Sequence, residues 1–316
     1  MQTVDTADVR IEAIAACLPA NAVRNDEKIV RATGVVTRRL APSGTTVVDL
    51  CVAAAERAMT DVGARPTDFG AVLCVSFTQR DRMPAAAIQA QARLGLPTDV
   101  IAFDVSLACS GWGYGLYLAG LLAHETGKKV LLLDGDVQGE RACGDEGTEP
   151  LLADAGTATV VSPRSPDGEA SAPWRFAFAA DGTKGEALKL TDGGTIQMDG
   201  FGVFKFVATD VVGYVKEFLA TSVDSPFASQ ATFVPHQPNA YMVRQLAKSV
   251  GIPEGRTAVS CDELGNLASA SVPATIVWKG VRGKVLMAGF GGGLSVSVGA
   301  IEVDEACKLS TVAFGE

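Results

Sequence analysis

Apolar residues along this chain fall into two patterns, short unbroken runs and longer stretches in which they recur every three to four positions. The runs at 71–77, 100–105 and 130–134 predict strands buried on both faces. Between them, residues 47–59, 85–94 and 111–124 carry the helical spacing, so the first half reads as repeated βαβ units. A Pro-, Ser-, Gly- and Asp-rich stretch at 161–173 interrupts this alternation. It then resumes with a helix over 204–219, a strand over 231–234, a helix over 241–250 and a strand over 285–288. Two halves, 1–165 and 166–316, are the natural division.

The halves echo one another. Residues 104–136 and 262–293 share an order of strand end, small-residue turn, helix, lysine and apolar strand, and Lys129-Val130-Leu131-Leu132 answers Lys284-Val285-Leu286-Met287. The likeness is also what any two pieces of α/β grammar would show.

Composition narrows the picture. Of 316 residues, 47% are apolar and 20% charged, enough for a large core. The 34 glycines against 6% aromatics point to tight turns and close helix packing. A net charge of −9 argues against a nucleic-acid partner. The first ten residues lack an apolar signal core, and residues 114–123, the most apolar helical run, are too short to span a bilayer. A cytoplasmic protein with no membrane association is expected. Seven cysteines (17, 51, 74, 109, 143, 261 and 307) form no CxxC pair, and there are only two histidines. Disulfides and a metal site are therefore not expected, leaving one special cysteine for covalent chemistry.

Cys109 is the candidate. It lies in Ala108-Cys109-Ser110-Gly111, directly after a strand and at the start of a helix, where unpaired backbone N–H groups are expected to lower a thiol pKa. His236, in Val234-Pro235-His236-Gln237-Pro238-Asn239, stands at another strand end, where α/β sheets place functional loops. Asn266, in Leu264-Gly265-Asn266-Leu267, falls at a helix start in the part of the second half that answers the Cys109 helix. Gly289-Phe290-Gly291-Gly292-Gly293 follows a strand and lets a ligand approach the backbone. Singly, these read equally well as a buried thiol, two helix caps and a turn. His124, near a helix end before Gly127, is accounted for by a C-terminal dipole contact.

Together and in this order the four resemble the β-ketoacyl-ACP synthase III family of the thiolase superfamily. The likeness runs from Thr33-Gly34-Val35 through Asp104-Val105, Ala108-Cys109, Phe204-Lys205 and His236-Gln237 to Gly291-Gly292-Gly293. It implies an α/β thiolase fold, two βαβ halves layered αβαβα. It implies Cys109 as acyl carrier, His236 and Asn266 as the groups that bind a malonyl thioester carbonyl, and the N–H groups of Cys109 and Gly292 as an oxyanion hole. Met83, Trp112 and Phe201 become acyl-pocket residues, Met83 reaching across a homodimer interface. Phe204, Lys205, Asn239, Arg244 and Lys248 become the pantetheine or carrier-protein contacts. The implied activity is a ping-pong decarboxylative Claisen condensation in fatty acid or secondary-metabolite biosynthesis. Its substrates are acyl-CoA or acyl carrier protein and a malonyl thioester, with no metal or other cofactor. Acyl transfer to an O or N nucleophile, or service as one subunit of a heterodimeric condensing enzyme, are the alternatives.

The chain also departs from the family. The segment between Leu18-Pro19 and Thr33-Gly34 is short, and no tryptophan precedes Trp112 to stack on an adenine. Residues 144–150 are acidic where a phosphate-pairing arginine is expected, and Asn239-Ala240-Tyr241 lacks the family's basic residue.

Overall fold

The computed structural model describes residues 2–6, 8–139, 141, 145–164, 173–191 and 194–315. Cys143, Gly144 and the expected junction at residue 165 lie outside these. Two mixed sheets dominate. The first runs, edge to edge, Lys308–Phe314, Val9–Pro19, Ala155–Pro163, Lys129–Asp136, Phe69–Val75 and Ile101–Val105. The second runs Thr3–Thr6, Trp174–Ala180, Ser295–Val303, Gly283–Gly291 and Thr232–Pro235.

Starting from Val9–Pro19 in one sheet and Trp174–Ala180 in the other, the strands follow the same order: first, last, next to last, second. In the first sheet the third strand completes the edge. In the second it is reduced to a single bridge between Phe233 and Thr257. The terminal strands cross over, however: Thr3–Thr6 pairs with Trp174–Ala180, and Lys308–Phe314 pairs with Val9–Pro19. A cut at 165/166 therefore does not separate the sheets. Each terminus covers an edge that the other half would leave with unpaired N–H and C=O groups.

Alternation explains the layers. Val130 and Leu132 of Lys129–Asp136 face a central core, Leu131 and Leu133 an outer one, so the strand is apolar throughout. Helices Gly111–Thr126 and Ser271–Lys279 fill the central layer. Helices Val47–Asp61 and Ala86–Arg93 cover the outside of the first sheet, and Val212–Thr221 and Ala240–Val250 cover the second. The result is five layers, α-β-α-β-α.

The central helix sits close to both sheets because it presents glycine to each. A Cβ at Gly111 would lie 2.3 Å from Val75 Cγ1, and one at Gly113 would lie 2.5 Å from Ser297 Oγ. The helix expected over 204–219 starts earlier, as Gly200–Phe206 capped by Asp199, widens into a π-helical turn at Val207–Val211 and continues as Val212–Thr221. Gly200 and Gly202 are poor helix formers, but Asp199 accepts from Phe201 N–H (3.1 Å) and starts the helix there. Among the described residues no helix is long and apolar enough to cross a membrane.

Candidate active site

The loop after Ile101–Val105 turns tightly through Ala108, whose carbonyl accepts from Gly111 N–H (2.8 Å), and delivers Cys109 between the sheets. Ser110 locks it from behind. Its hydroxyl shares a hydrogen bond with Ser295 Oγ (2.7 Å), and its carbonyl accepts from Ser297 Oγ (2.8 Å). The strand Gly283–Gly291 presses on the other side. A Cβ at Gly291 would lie 2.8 Å from Cys109 Cβ and 3.1 Å from Sγ, and one at Gly289 would lie 2.9 Å from Cys109 O. Only glycine fits at these two positions.

The thiol is not acidified as the sequence reading expected. Burial pushes Cys109 up to about 12, and the nearby charge of Asp136 acts in the same direction. Removal of water outweighs the partial charge of a helix N-terminus for a residue that is only 9% exposed.

His236 follows the strand Thr232–Pro235, its N–H held by Ala288 O at 2.7 Å. The imidazole lies edge-on to Phe290 with centroids 5.3 Å apart, and its Nδ1 has no hydrogen-bond partner. Burial lowers its pKa to about 3, so the ring is neutral at physiological pH. Gln237 braces the loop, donating to Pro235 O (2.8 Å) and Ala258 O (3.1 Å) and accepting from Ser260 N–H (2.9 Å).

Asn266 sits in the turn between Cys261–Leu264 and Ala268–Ala270. Its N–H donates to Leu151 O (2.8 Å), while its carbonyl accepts from Ala153 N–H (3.0 Å) and Gln138 Nε2 (3.0 Å). Side-chain Oδ1 accepts from Ala268 N–H at 3.0 Å, which fixes the amide plane with Nδ2 as its donor end.

Cys109, His236, Asn266 and Gly292 all line one cavity of about 290 Å³. Its other walls are almost wholly apolar. The sequence reading did not pick out Phe77, Leu152, Leu188 and Ile196, which form a small cluster of their own against it. Leu188 and Ile196 belong to a hairpin, Leu188–Leu190 paired with Ile196–Met198. Its signal was present as Leu-x-Leu, then Thr-Asp-Gly-Gly-Thr, then Ile-x-Met.

Other expected positions fall elsewhere. Trp112 is not a pocket residue: it is 1% exposed in the central core and donates to Thr159 Oγ1 (3.3 Å), because the helix turns it toward the first sheet. Phe201 is 77% exposed and outside the wall, whereas Val203 and Phe206 of the same helix line the cavity. Met83 is 87% exposed and outside this chain's own cavity. Phe204 is exposed, and Lys205 lines a neighbouring surface cleft with Lys184 and Asp210. Asn239 caps Ala240–Val250 by accepting from Met242 N–H (2.8 Å). Arg244 is 3.3 Å from Glu254 and shares a second cleft with Lys248. Among the described residues no cluster of three His, Cys, Asp or Glu is placed to hold a metal ion.

A five-layered fold with a cysteine at the central helix, a strand-end histidine and a turn asparagine around one cavity defines a thiolase-fold condensing enzyme. Residues 103–182 match the family model for 3-oxoacyl-[acyl-carrier-protein (ACP)] synthase III, and residues 229–303 match its C-terminal model. Beta-ketoacyl-[acyl-carrier-protein] synthase III 3 of Streptomyces coelicolor is 30% identical over 320 residues, covering 91% of this chain and 95% of that one. A crystal structure of 3-oxoacyl-(acyl-carrier protein) synthase from Burkholderia xenovorans superposes with a TM-score of 0.91 at 30% identity, over 99% of both chains. The priming β-ketosynthase of the R1128 polyketide pathway gives 0.83 at 26% identity, over 96% of this chain and 98% of that one. The chain belongs to the β-ketoacyl-[acyl-carrier-protein] synthase III family, a class of acyl-transferring condensing enzymes.

Proposed function

We propose that the chain joins an acyl group to a malonyl thioester in two half-reactions, with Cys109 as the acyl carrier. In the first, the Cys109 sulfur attacks the acyl thioester carbonyl, a C–S bond to the enzyme forms as the bond to the carrier thiol breaks, and the cysteine proton leaves with that thiol. The N–H groups of Cys109 and Gly292 are the donors proposed for the oxyanion. In the second, the malonyl thioester loses CO2, and its enolate carbon attacks the acyl-Cys109 carbonyl. A β-ketoacyl thioester leaves, and Cys109 recovers its proton. The two thioesters supply every atom except the proton that Cys109 recovers, which comes from solvent because the original one left with the carrier thiol, so no further reagent is needed.

The observation that carries this reading is that Cys109, His236 and Asn266 open onto the same apolar cavity. A neutral imidazole and a carboxamide can both donate to an enolate oxygen without giving up a proton, which suits a decarboxylation step better than a charged pair would. The water-poor wall favours loss of a charged carboxylate and protects the enolate.

Carrier preference follows from the surface. Asp145 to Glu149 carry acidic residues beside the cavity wall at Thr148, and no tryptophan precedes Trp112, so a nucleotide gains little here. The same acyl group on pantetheine is expected to react nearly as well as on CoA, and acyl carrier protein better than either, through Lys205, Arg244 or Lys248. The test is kcat/KM for one acyl group on the three carriers. A hundredfold preference for CoA over pantetheine would contradict this part. For the reaction itself, Asn266→Ala should keep acylation of Cys109 while losing at least about a hundredfold in malonyl decarboxylation. Equal loss of both, or transfer of the acyl group to an alcohol or amine without CO2 release, would point to simple acyl transfer instead.

A further inference from the structure

Asp136 closes the strand Lys129–Asp136 inside the molecule, fully buried, on the side of the strand that faces the central layer. Its carboxylate is surrounded by donors from two separate elements. Oδ1 accepts from Ser76 Oγ, Phe77 N–H and Thr78 Oγ1, each at 3.0 Å, all at the end of the strand Phe69–Val75. Oδ2 accepts from Ser269 N–H (3.2 Å) and Ser269 Oγ (2.7 Å), in the turn Ala268–Ala270. Both elements reach the cavity: Phe77 is part of its wall, and the first N–H of that turn, Ala268, fixes the amide of Asn266.

Resting on the function proposed above, we propose that Asp136 is a positioning residue for the malonyl half-reaction, clamping the Asn266 turn to the strand end beside the Cys109 cavity. Its shape alone would not suffice. Asparagine is nearly isosteric, but whichever way its amide turns, an NH2 faces either Phe77 N–H or Ser269 N–H, donor against donor. One end of the clamp then opens. Burial raises the Asp136 carboxyl to about 6, while hydrogen bonds from Ser269, Phe77 and Thr78 hold it down, which leaves the carboxylate as the form present at pH 7 to 8.

Asp136→Asn is expected to lower kcat for malonyl-thioester decarboxylation by about ten- to a hundredfold, the scale of a misplaced positioning group. KM for the malonyl thioester should stay within about threefold, because the loss belongs to the transition state of one step, and acylation of Cys109 should not slow, because removing the Asp136 charge removes one cause of the raised thiol pKa. Ser269→Ala, which removes one donor and keeps the carboxylate, should show the same split at about fivefold. It decides the matter alone if Asp136→Asn does not fold. Equal losses in both half-reactions, or no loss in either, would overturn the assignment. A wild-type protein that acylates Cys109 yet neither decarboxylates nor condenses malonyl thioester would instead overturn the proposed function and remove the basis of this inference.

Discussion

Cys109 and His236 are both held neutral by burial, one pushed up to about 12 and the other down to about 3. A resting thiolate–imidazolium pair is therefore not the working state; the thiol must lose its proton as the thioester arrives. His236 also links function to stability. Its folded pKa lies below the ordinary histidine value of about 6.5, so the stabilisation it gives is complete above that pH and is lost as pH falls toward 3. Asp134 and Asp136, whose carboxyls burial pushes upward, act in the opposite sense but are common to wild type and variant. Thermal melts of His236→Gln and wild type from pH 7.5 to pH 5 should therefore show the variant losing less Tm on acidification. Parallel curves would mean that the ring is not buried neutral. A second test concerns the glycine against the sulfur. Gly291→Ala places a methyl 2.8 Å from Cys109 Cβ, closer than real contacts allow, and should slow acylation by at least about tenfold while leaving the melting temperature within a few degrees. Unchanged acylation would show that the loop yields freely.

The elements that build the site were legible in the sequence where one period dominated. The runs at 71–77, 100–105 and 130–134 and the helices at 47–59, 85–94 and 241–250 fall on observed elements to within about two residues at each end. Val9–Pro19, Ala155–Pro163 and Ser295–Val303 were not picked out. They carry Ala, Ser and Gly at fully buried positions, because neighbours press too closely for larger side chains, and Ala and Gly have weak strand preference. Ser297, for example, stands against Gly113 and bonds Ser110 O. Cys109, His236 and Asn266 were legible because each lies where a strand or turn meets a helix. Trp112 was misplaced because helix rotation cannot be read without knowing which sheet the helix faces. Asp136 looked like one more strand-end acid; its five donors come from residues 76–78 and 269, separations that no local pattern reveals. In the hairpin Leu188–Leu190/Ile196–Met198, Leu188 and Ile196 cluster with Leu152 and Phe77 at the cavity wall, so it is the element expected to set acyl length. Ile196→Trp should cut kcat/KM for an eight-carbon acyl thioester at least about tenfold relative to a two-carbon one. A uniform change across chain lengths would place the acyl chain elsewhere in the cavity.

At the scale of the whole molecule, two sheets of matching strand order exchange their terminal strands and enclose one central layer, which supports reading the chain as two copies of a βαβ unit fused beyond separation. Among the described residues nothing pairs with the outer side of the edge strand Ile101–Val105, and Ile101, Ile88 and Met83 are exposed. An apolar open edge is a pairing surface, and the second copy of this chain is the partner proposed for it. Light scattering should find a dimer, and Ile101→Lys should shift it toward monomer; a dilute, active monomer would refute the proposal. The central claim is that Cys109 holds the acyl group and that carbon–carbon bond formation discharges it. Mass spectrometry of the protein, first with an acyl thioester and then, after removal of excess, with malonyl thioester, tests this most directly. The account predicts one acyl group on the Cys109 peptide alone, discharged with one CO2 and one β-ketoacyl thioester per site; an acyl group on another residue, or discharge without CO2, would contradict it.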